Sequence, residues 1–309
     1  MKKIFIDGSA GTTGLRIVER LSAREDISLL TLSEERRKDP AARREMLNQA
    51  DIAFLCLPDD AAREAVAMLE NPDTVVLDTS TAHRTSEGWA YGFPELSAAH
   101  LEAVKTGKRI AVPGCHAGGF IALVYPLIEA GILSPDALLT CHSLTGYSGG
   151  GKKMIADYES EDRSSLLAAP RQYALGQSHK HLKEMNFVTG LRNAPVFCPI
   201  VADFYSGMAV TVPLFSSMLE GAAAADVKRV YAEKYQSPLV RYVEGADENG
   251  FFAATALSGK DRMEISVAGN DDRILLLARY DNLGKGASGA ALECMNISLG
   301  LDPTFGLTL

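Results

Sequence analysis

Short apolar runs alternate with helix-like patterns over the first third of the chain. Residues 3–6, 27–32, 52–57, 75–78 and 110–112 read as buried strands, and 15–21 and 60–69 carry apolar positions at helical spacing. Strands alternating with helices predict βαβ units and a mostly parallel sheet, with ligands at the strands' carboxyl ends. Beyond residue 114 the pattern changes to an apolar helix over 120–130, closed by Gly131, and strands near 138–144, 196–204, 208–214 and 274–279. A last apolar helix, about 287–299, needs a surface to cover it. The expected organisation is an α/β domain over 1–114, with 286–309 packing back on it, and an α+β domain over 115–285.

The first strand runs into Gly8-Ser9-Ala10-Gly11-Thr12-Thr13-Gly14 and then a helix. Small residues at such a turn let backbone approach a pyrophosphate while helix-terminal N–H groups face it, so the first domain reads as a Rossmann-type dinucleotide binder with GxxGxxG spacing. After the second strand an NAD enzyme places an acid for the ribose 2′-OH. Here stand Ser33-Glu34-Glu35-Arg36-Arg37-Lys38. Ser33 with Arg36 or Arg37 suits the additional phosphate of NADP; the alternative is a solvated first turn of a helix.

Composition narrows the partners. A net charge of -8 and the absence of a basic block interleaved with aromatics argue against nucleic acid or an anionic membrane. No window approaches a membrane span, and the amino terminus leads directly into a strand, so the cytoplasm is expected. Five cysteines without a CxxC pair fit reduced thiols better than a disulfide framework or a zinc site.

One of those thiols stands apart. Cys115, in Pro113-Gly114-Cys115-His116-Ala117-Gly118-Gly119, falls at or just before a helix amino terminus, where the dipole and free N–H groups stabilise a thiolate. It is the candidate nucleophile; Cys56, Cys141, Cys198 and Cys294 lie in apolar or helical stretches as small core residues. Among the histidines, His179 and His181 stand out as acid/base candidates, with His181 and Glu184 at i, i+3 able to form an oriented pair. A metal reading of HxHxxE lacks further ligands, so no metal is expected. The other histidines read as surface or structural.

With these residues in place, the chain resembles the short-form N-acetyl-γ-glutamyl-phosphate reductases. The likeness runs through the glycine loop, Asp78-Thr79-Ser80-Thr81-Ala82-His83-Arg84, Tyr91-Gly92-Phe93-Pro94-Glu95-Leu96, Pro113-Gly114-Cys115, Thr145-Gly146-Tyr147-Ser148-Gly149-Gly150-Gly151-Lys152, His179-Lys180-His181 and Asp281-Asn282-Leu283-Gly284-Lys285-Gly286-Ala287-Ser288-Gly289-Ala290. The resemblance implies a glyceraldehyde-phosphate-dehydrogenase-like architecture. It also implies Cys115 as nucleophile, His181 (or His179) as acid/base, and Ser80 and Asn282 toward the cofactor. Substrate contacts would come from Arg84, Tyr147, Ser148, Gly149, Gly150 and Lys152. NADPH-dependent reduction of an acyl phosphate by a homo-oligomer, dimer or tetramer, follows. Rival readings are the same chemistry on N-acetyl-aminoadipyl or aspartyl phosphate, and a non-catalytic NADP-binding sensor.

Overall fold

The computed structural model describes all of residues 1–309 and divides into two compact units, Met1–Pro113 with Ala287–Leu307, and Gly114–Gly286 with Thr308–Leu309.

The first unit is built on a six-stranded parallel sheet of β1 (Lys2–Asp7), β2 (Ile27–Leu30), β3 (Ile52–Leu55), β4 (Val75–Asp78), β5 (Ala90–Tyr91) and β6 (Arg109–Ala111), in the order β2-β1-β3-β4-β6-β5. Side chains alternate across β1, so Ile4 and Ile6 enter one apolar core and Phe5 the other. Two covered faces explain why its strands read as continuous apolar runs. The chain passes from β1 out to the edge strand β2 and returns across β1 to β3, so β1, flanked by β2 and β3, ends at the topological switch point where doubly wound sheets bind ligands. The helices are α1 (Thr12–Ser22), α2 (Pro40–Gln49), α3 (Asp59–Ala67), α4 (Ala98–Thr106) and the carboxyl-terminal α9 (Gly289–Ser298). Ala290, Ala291, Leu292, Cys294, Met295 and Ile297 of α9 complete the core that contains Ile4 and Phe54. The second strand ends at Leu30, two residues short of its expected end, and Glu34–Lys38 form turns rather than a helix start.

The second unit carries a mixed seven-stranded sheet, β11-β12-β13-β10-β7-β9-β8. Its strands are β7 (Thr140–Gly146), β8 (Arg171–Gln172), β9 (Val196–Ala202), β10 (Met208–Phe215), β11 (Val240–Tyr242), β12 (Met263–Gly269) and β13 (Arg273–Tyr280). Its helices are α5 (Cys115–Glu129), α6 (Gly151–Glu159), α7 (His181–Thr189) and α8 (Ala224–Lys234). The apolar helix α5 begins five residues earlier than the apolar pattern alone suggests, because Cys115 to Gly119 are small or polar yet already helical. Pro126 lies inside it and offers no N–H to the Ala122 carbonyl. Tyr235 fills the gap, its hydroxyl donating to Ala122 at 2.7 Å, while Tyr231 donates to Leu123. Those two tyrosines pin α5 beneath α8. The opposite face of the sheet leaves Val196, Phe215 and Leu275 exposed.

Candidate active site and nucleotide cradle

In the first unit, the glycine loop follows β1 and opens α1. Gly8 has φ +86°, and a Cβ there would collide with the Cys56 carbonyl; a Cβ on Gly14 would come 2.9 Å from the Ser9 Cα. Only glycine fits either position. No side chain caps α1, and the hydroxyl of Thr12 is buried without a partner. Open N–H groups and an unsatisfied hydroxyl beside bare backbone suit a pyrophosphate. At the loop's base, Asp7 is held by the Arg43 guanidinium at 2.9 Å, although burial raises its carboxyl above the usual range. Ser9, Ala10 and Thr13 lie in the same turn and first helical residues.

Ser33, Arg36 and Arg37 share one turn, where the Ser33 carbonyl accepts both arginine amides at 3.0 Å. Their guanidinium groups are well exposed, with Arg37 2.9 Å from Glu34 and Arg36 3.9 Å from Glu45. Ser80 is buried and donates to Asp78 at 2.8 Å, so its hydroxyl proton is already engaged. Asp78 also holds His83 Nδ1 at 2.6 Å, and the His83 ring stacks on Trp89. Arg84 is buried and donates to the carbonyls of Val112 and Thr79, both at 2.9 Å.

In the second unit, Cys115 is the first residue of α5, with Gly114 as cap and no capping bond from that residue's side chain. Three groups fix its position. Glu184, from the first turn of α7, accepts the Gly114 N–H at 2.8 Å. Tyr280 donates to the Cys115 carbonyl and accepts the Gly119 N–H at 3.0 Å. Gly286 packs so closely that a Cβ on it would lie 3.1 Å from the Cys115 Cβ. Glu184, expected from spacing to orient His181, is seen bonded to the cap of the nucleophile's helix, which spacing along one helix could not reveal.

The histidines cluster. The rings of His179 and His181 lie 4.7 Å apart, and His116 is 5.6 Å from His181 and 6.0 Å from His179. His179 Nδ1 accepts the His181 amide, which leaves the His179 proton on Nε2. Burial first, then Lys180, lowers the His179 pKa below the ordinary imidazole range. His116, expected to be structural or on the surface, is buried; desolvation and then His179 push it down to about 3. Its ring nitrogens meet Ser143 Oγ at 2.6 Å and the Tyr173 hydroxyl at 2.7 Å. Sequence reading missed Ser143 on β7, Tyr173 just after β8 and Tyr280 at the end of β13, which carry no motif of their own. No group of three His, Cys, Asp or Glu side chains is arranged to hold a metal ion.

Asn282 is buried with both ends of its amide engaged: Oδ1 accepts from Gly207 N at 2.9 Å and Nδ2 donates to Ser148 Oγ at 3.0 Å. The run after β7 was expected to contact the anionic substrate, for which its backbone N–H groups would serve. Its first two N–H groups are instead spent, Tyr147 on Phe204 at 2.9 Å and Ser148 on Tyr205 at 3.0 Å. Gly149, Gly150 and Lys152 are exposed around the start of α6. The remaining cysteines split: Cys141 and Cys294 are core residues, whereas Cys56 and Cys198 are only partly buried, a correction to the expected core placement. Desolvation nevertheless pushes the Cys56 thiol up to about 12 and that of Cys141 higher still.

Two families match along the chain: "Semialdehyde dehydrogenase, NAD binding domain" over residues 3–104 and "Semialdehyde dehydrogenase, dimerisation domain" over 115–282. Among curated relatives, the N-acetyl-gamma-glutamyl-phosphate reductase 2 of Nostoc sp. is 43% identical, covering 99% of both chains. The N-acetyl-gamma-glutamyl-phosphate reductase of Chelativorans sp. is 46% identical over 96% of this chain and 98% of that one. Among solved structures, aspartate semialdehyde dehydrogenase II of Vibrio cholerae, complexed with ASA, superposes with TM-score 0.72 at 16% identity, covering 97% and 98% of the two chains. The aspartate semialdehyde dehydrogenase of Candida albicans, solved with NADP, gives 0.69 at 16%, covering 96% and 98%. At that identity the likeness is one of fold.

Proposed function

We propose, since the chain belongs to the family of N-acetyl-γ-glutamyl-phosphate reductases, that it reduces N-acetyl-γ-glutamyl phosphate to N-acetylglutamate 5-semialdehyde and phosphate. The observation that carries the chemistry is the bond between Glu184 and Gly114, which ties the helix turn bearing His181 to the cap preceding Cys115. A thiol at a helix amino terminus, tied through that bond to the turn that carries an imidazole, suits a nucleophile served by a proton carrier.

In this reading the Cys115 thiolate attacks the γ-acyl carbon, the bond from that carbon to the phosphate oxygen breaks, and phosphate leaves with the electron pair. Bound NADPH supplies the hydride that reduces the resulting thioester. His181, or His179 in its place, holds a proton at the hemithioacetal oxygen and recovers it as the carbon–sulfur bond breaks. The N–H groups of the first turn of α5 face the developing oxyanion. Gly8 to Gly14 with Thr12 would hold the pyrophosphate, Ser33 with Arg36 and Arg37 the 2′-phosphate, and Ser80 the adjacent part of the cofactor. Asn282 would act toward the nicotinamide through the backbone it anchors. Arg84 and the segment of Tyr147, Ser148, Gly149, Gly150 and Lys152 would meet the anionic substrate. The match to a dimerisation domain and the open sheet face support a homo-oligomer, whose proposed location is the cytoplasm.

The test is reduction of NADP by N-acetylglutamate semialdehyde in the presence and absence of phosphate. Phosphate-dependent NADPH formation is expected. A larger kcat/KM with aspartate semialdehyde or the N-acetyl-aminoadipate homologue, or indifference to phosphate, refutes the assignment.

A further inference from the structure

Ser143, His116 and Tyr173 form a chain of hydrogen bonds that ends beside the nucleophile. Ser143 lies on β7 with no solvent exposure, and its hydroxyl has one partner, Nδ1 of His116. The other ring nitrogen meets the hydroxyl of Tyr173, which follows β8 and donates its amide to Pro199, two residues along β9 from Phe197, whose ring borders His116 and His179. His116 follows Cys115 in the first turn of α5, and the Tyr173 hydroxyl, 2.7 Å from the His116 ring, lies close enough to Cys115 to feel its charge.

Satisfiability decides which way these bonds run. The imidazole is neutral, since burial pushes it down to about 3, and so carries one proton. Were that proton on Nδ1, Ser143 would accept it and its own hydroxyl proton would be left without an acceptor in a dry interior, a costly state. With the proton on Nε2, Ser143 donates to Nδ1, and the serine hydroxyl and the imidazole are both satisfied. Nε2–H then donates to the Tyr173 oxygen, and the tyrosine proton turns away from the ring. Burial, and after it the charge of Cys115, holds Tyr173 above the ordinary phenol range, so that proton is retained.

We propose that Ser143 and His116 lock the Tyr173 hydroxyl so that it donates to the substrate's acyl oxygen as negative charge develops there, making Tyr173 a catalytic residue and the other two positioning residues. This rests on the acyl-phosphate reduction proposed above. A donor aimed in advance at developing charge acts in the transition state rather than in ground-state binding.

The experiment is a double-mutant cycle on the intact enzyme, with N-acetylglutamate semialdehyde, phosphate and NADP as reactants. Tyr173→Phe is expected to lower kcat roughly 100-fold with KM changed less than about threefold, the scale for losing one oxyanion donor. Ser143→Ala should lower kcat roughly tenfold in the parent and not at all in the Tyr173→Phe background. Equal losses in both backgrounds mark a purely structural serine and overturn the proposal, as does a Tyr173→Phe enzyme that keeps most of its kcat. Should Ser143→Ala fail to fold, His116→Gln, whose amide N–H can stand in for Nε2–H, is expected to keep more activity than His116→Leu; equality of the two is the refuting result. A parent enzyme with no turnover rejects the acyl-phosphate reading itself, whereas an active parent with an additive cycle rejects the tyrosine assignment alone.

Discussion

The Tyr280 hydroxyl donates to the carbonyl of Cys115, and the same oxygen accepts the amide of Gly119. Those are the two groups that the first turn of a regular helix would join. A Cβ at Gly119 would come 2.7 Å from Val210 and 2.9 Å from the Tyr280 ring, so the glycine makes room for the hydroxyl. Tyr280→Phe is expected to cost about 1–3 kcal/mol of stability, measured by urea unfolding, and to slow alkylation of Cys115. Unchanged alkylation would show that the tyrosine supports the helix without influencing its thiol.

Cys115→Ser should bind NADPH as the parent does yet lose nearly all turnover, because an alkoxide is hard to generate where a thiolate forms readily. Iodoacetamide should label one thiol quickly. Mass spectrometry that finds the fast label on Cys56, Cys141, Cys198 or Cys294 would remove Cys115 from its role.

His181→Asn should lower kcat by about 10²–10⁴-fold with a small effect on KM, as expected of a proton carrier. His179→Asn is the comparison. A greater loss in the second variant reverses the two roles.

Replacing Arg36 and Arg37 together by Ala should raise KM for NADPH about tenfold or more and leave NADH use nearly unchanged. Each now sits by a glutamate, Glu45 and Glu34. Equal weakening toward both cofactors would show a solvated surface cluster.

His116 sets a pH dependence of stability. Its folded pKa, about 3, lies below its ordinary value, so between the two the unfolded chain binds a proton that the folded protein does not. Stability is therefore present above about pH 6.5 and declines as pH falls toward 3, by up to about 1.4 kcal/mol per pH unit. His179, also lowered, adds in the same direction. Unfolding curves at pH 7 and pH 5 should converge in His116→Gln; an undiminished slope assigns the effect elsewhere.

Periodicity placed five strands of the first unit to within a residue or two, because they are short apolar runs bounded by polar turns, and passed over the two-residue β5. It passed over α2 and α4, where alanines and charges blur the stripe, and β12, whose Met263 to Val267 are all buried despite Glu264 and Ser266. Glu264 is tolerated there because Arg279 approaches at 3.0 Å. In the site, Gly8 and Cys115 announce themselves through local motif. Ser143, Tyr173 and Tyr280 do not, since their meaning arises from contacts between strands and helices distant in sequence. Ser80, Arg84 and Asn282 illustrate the converse: polar residues in recognisable motifs that spend bonds holding backbone in place.

The terminal helix α9 gives synthesis of this chain an unusual timetable. The core around Ile4 and Phe54 takes six side chains from residues 290–297. A ribosome must therefore have translated past residue 297 before the sheet that begins at β1 can be sealed on that face. The intervening segment from Gly114 to Gly286 is continuous. Its core is available earlier than that of the unit translated first, so vectorial synthesis and the order of consolidation run in opposite senses.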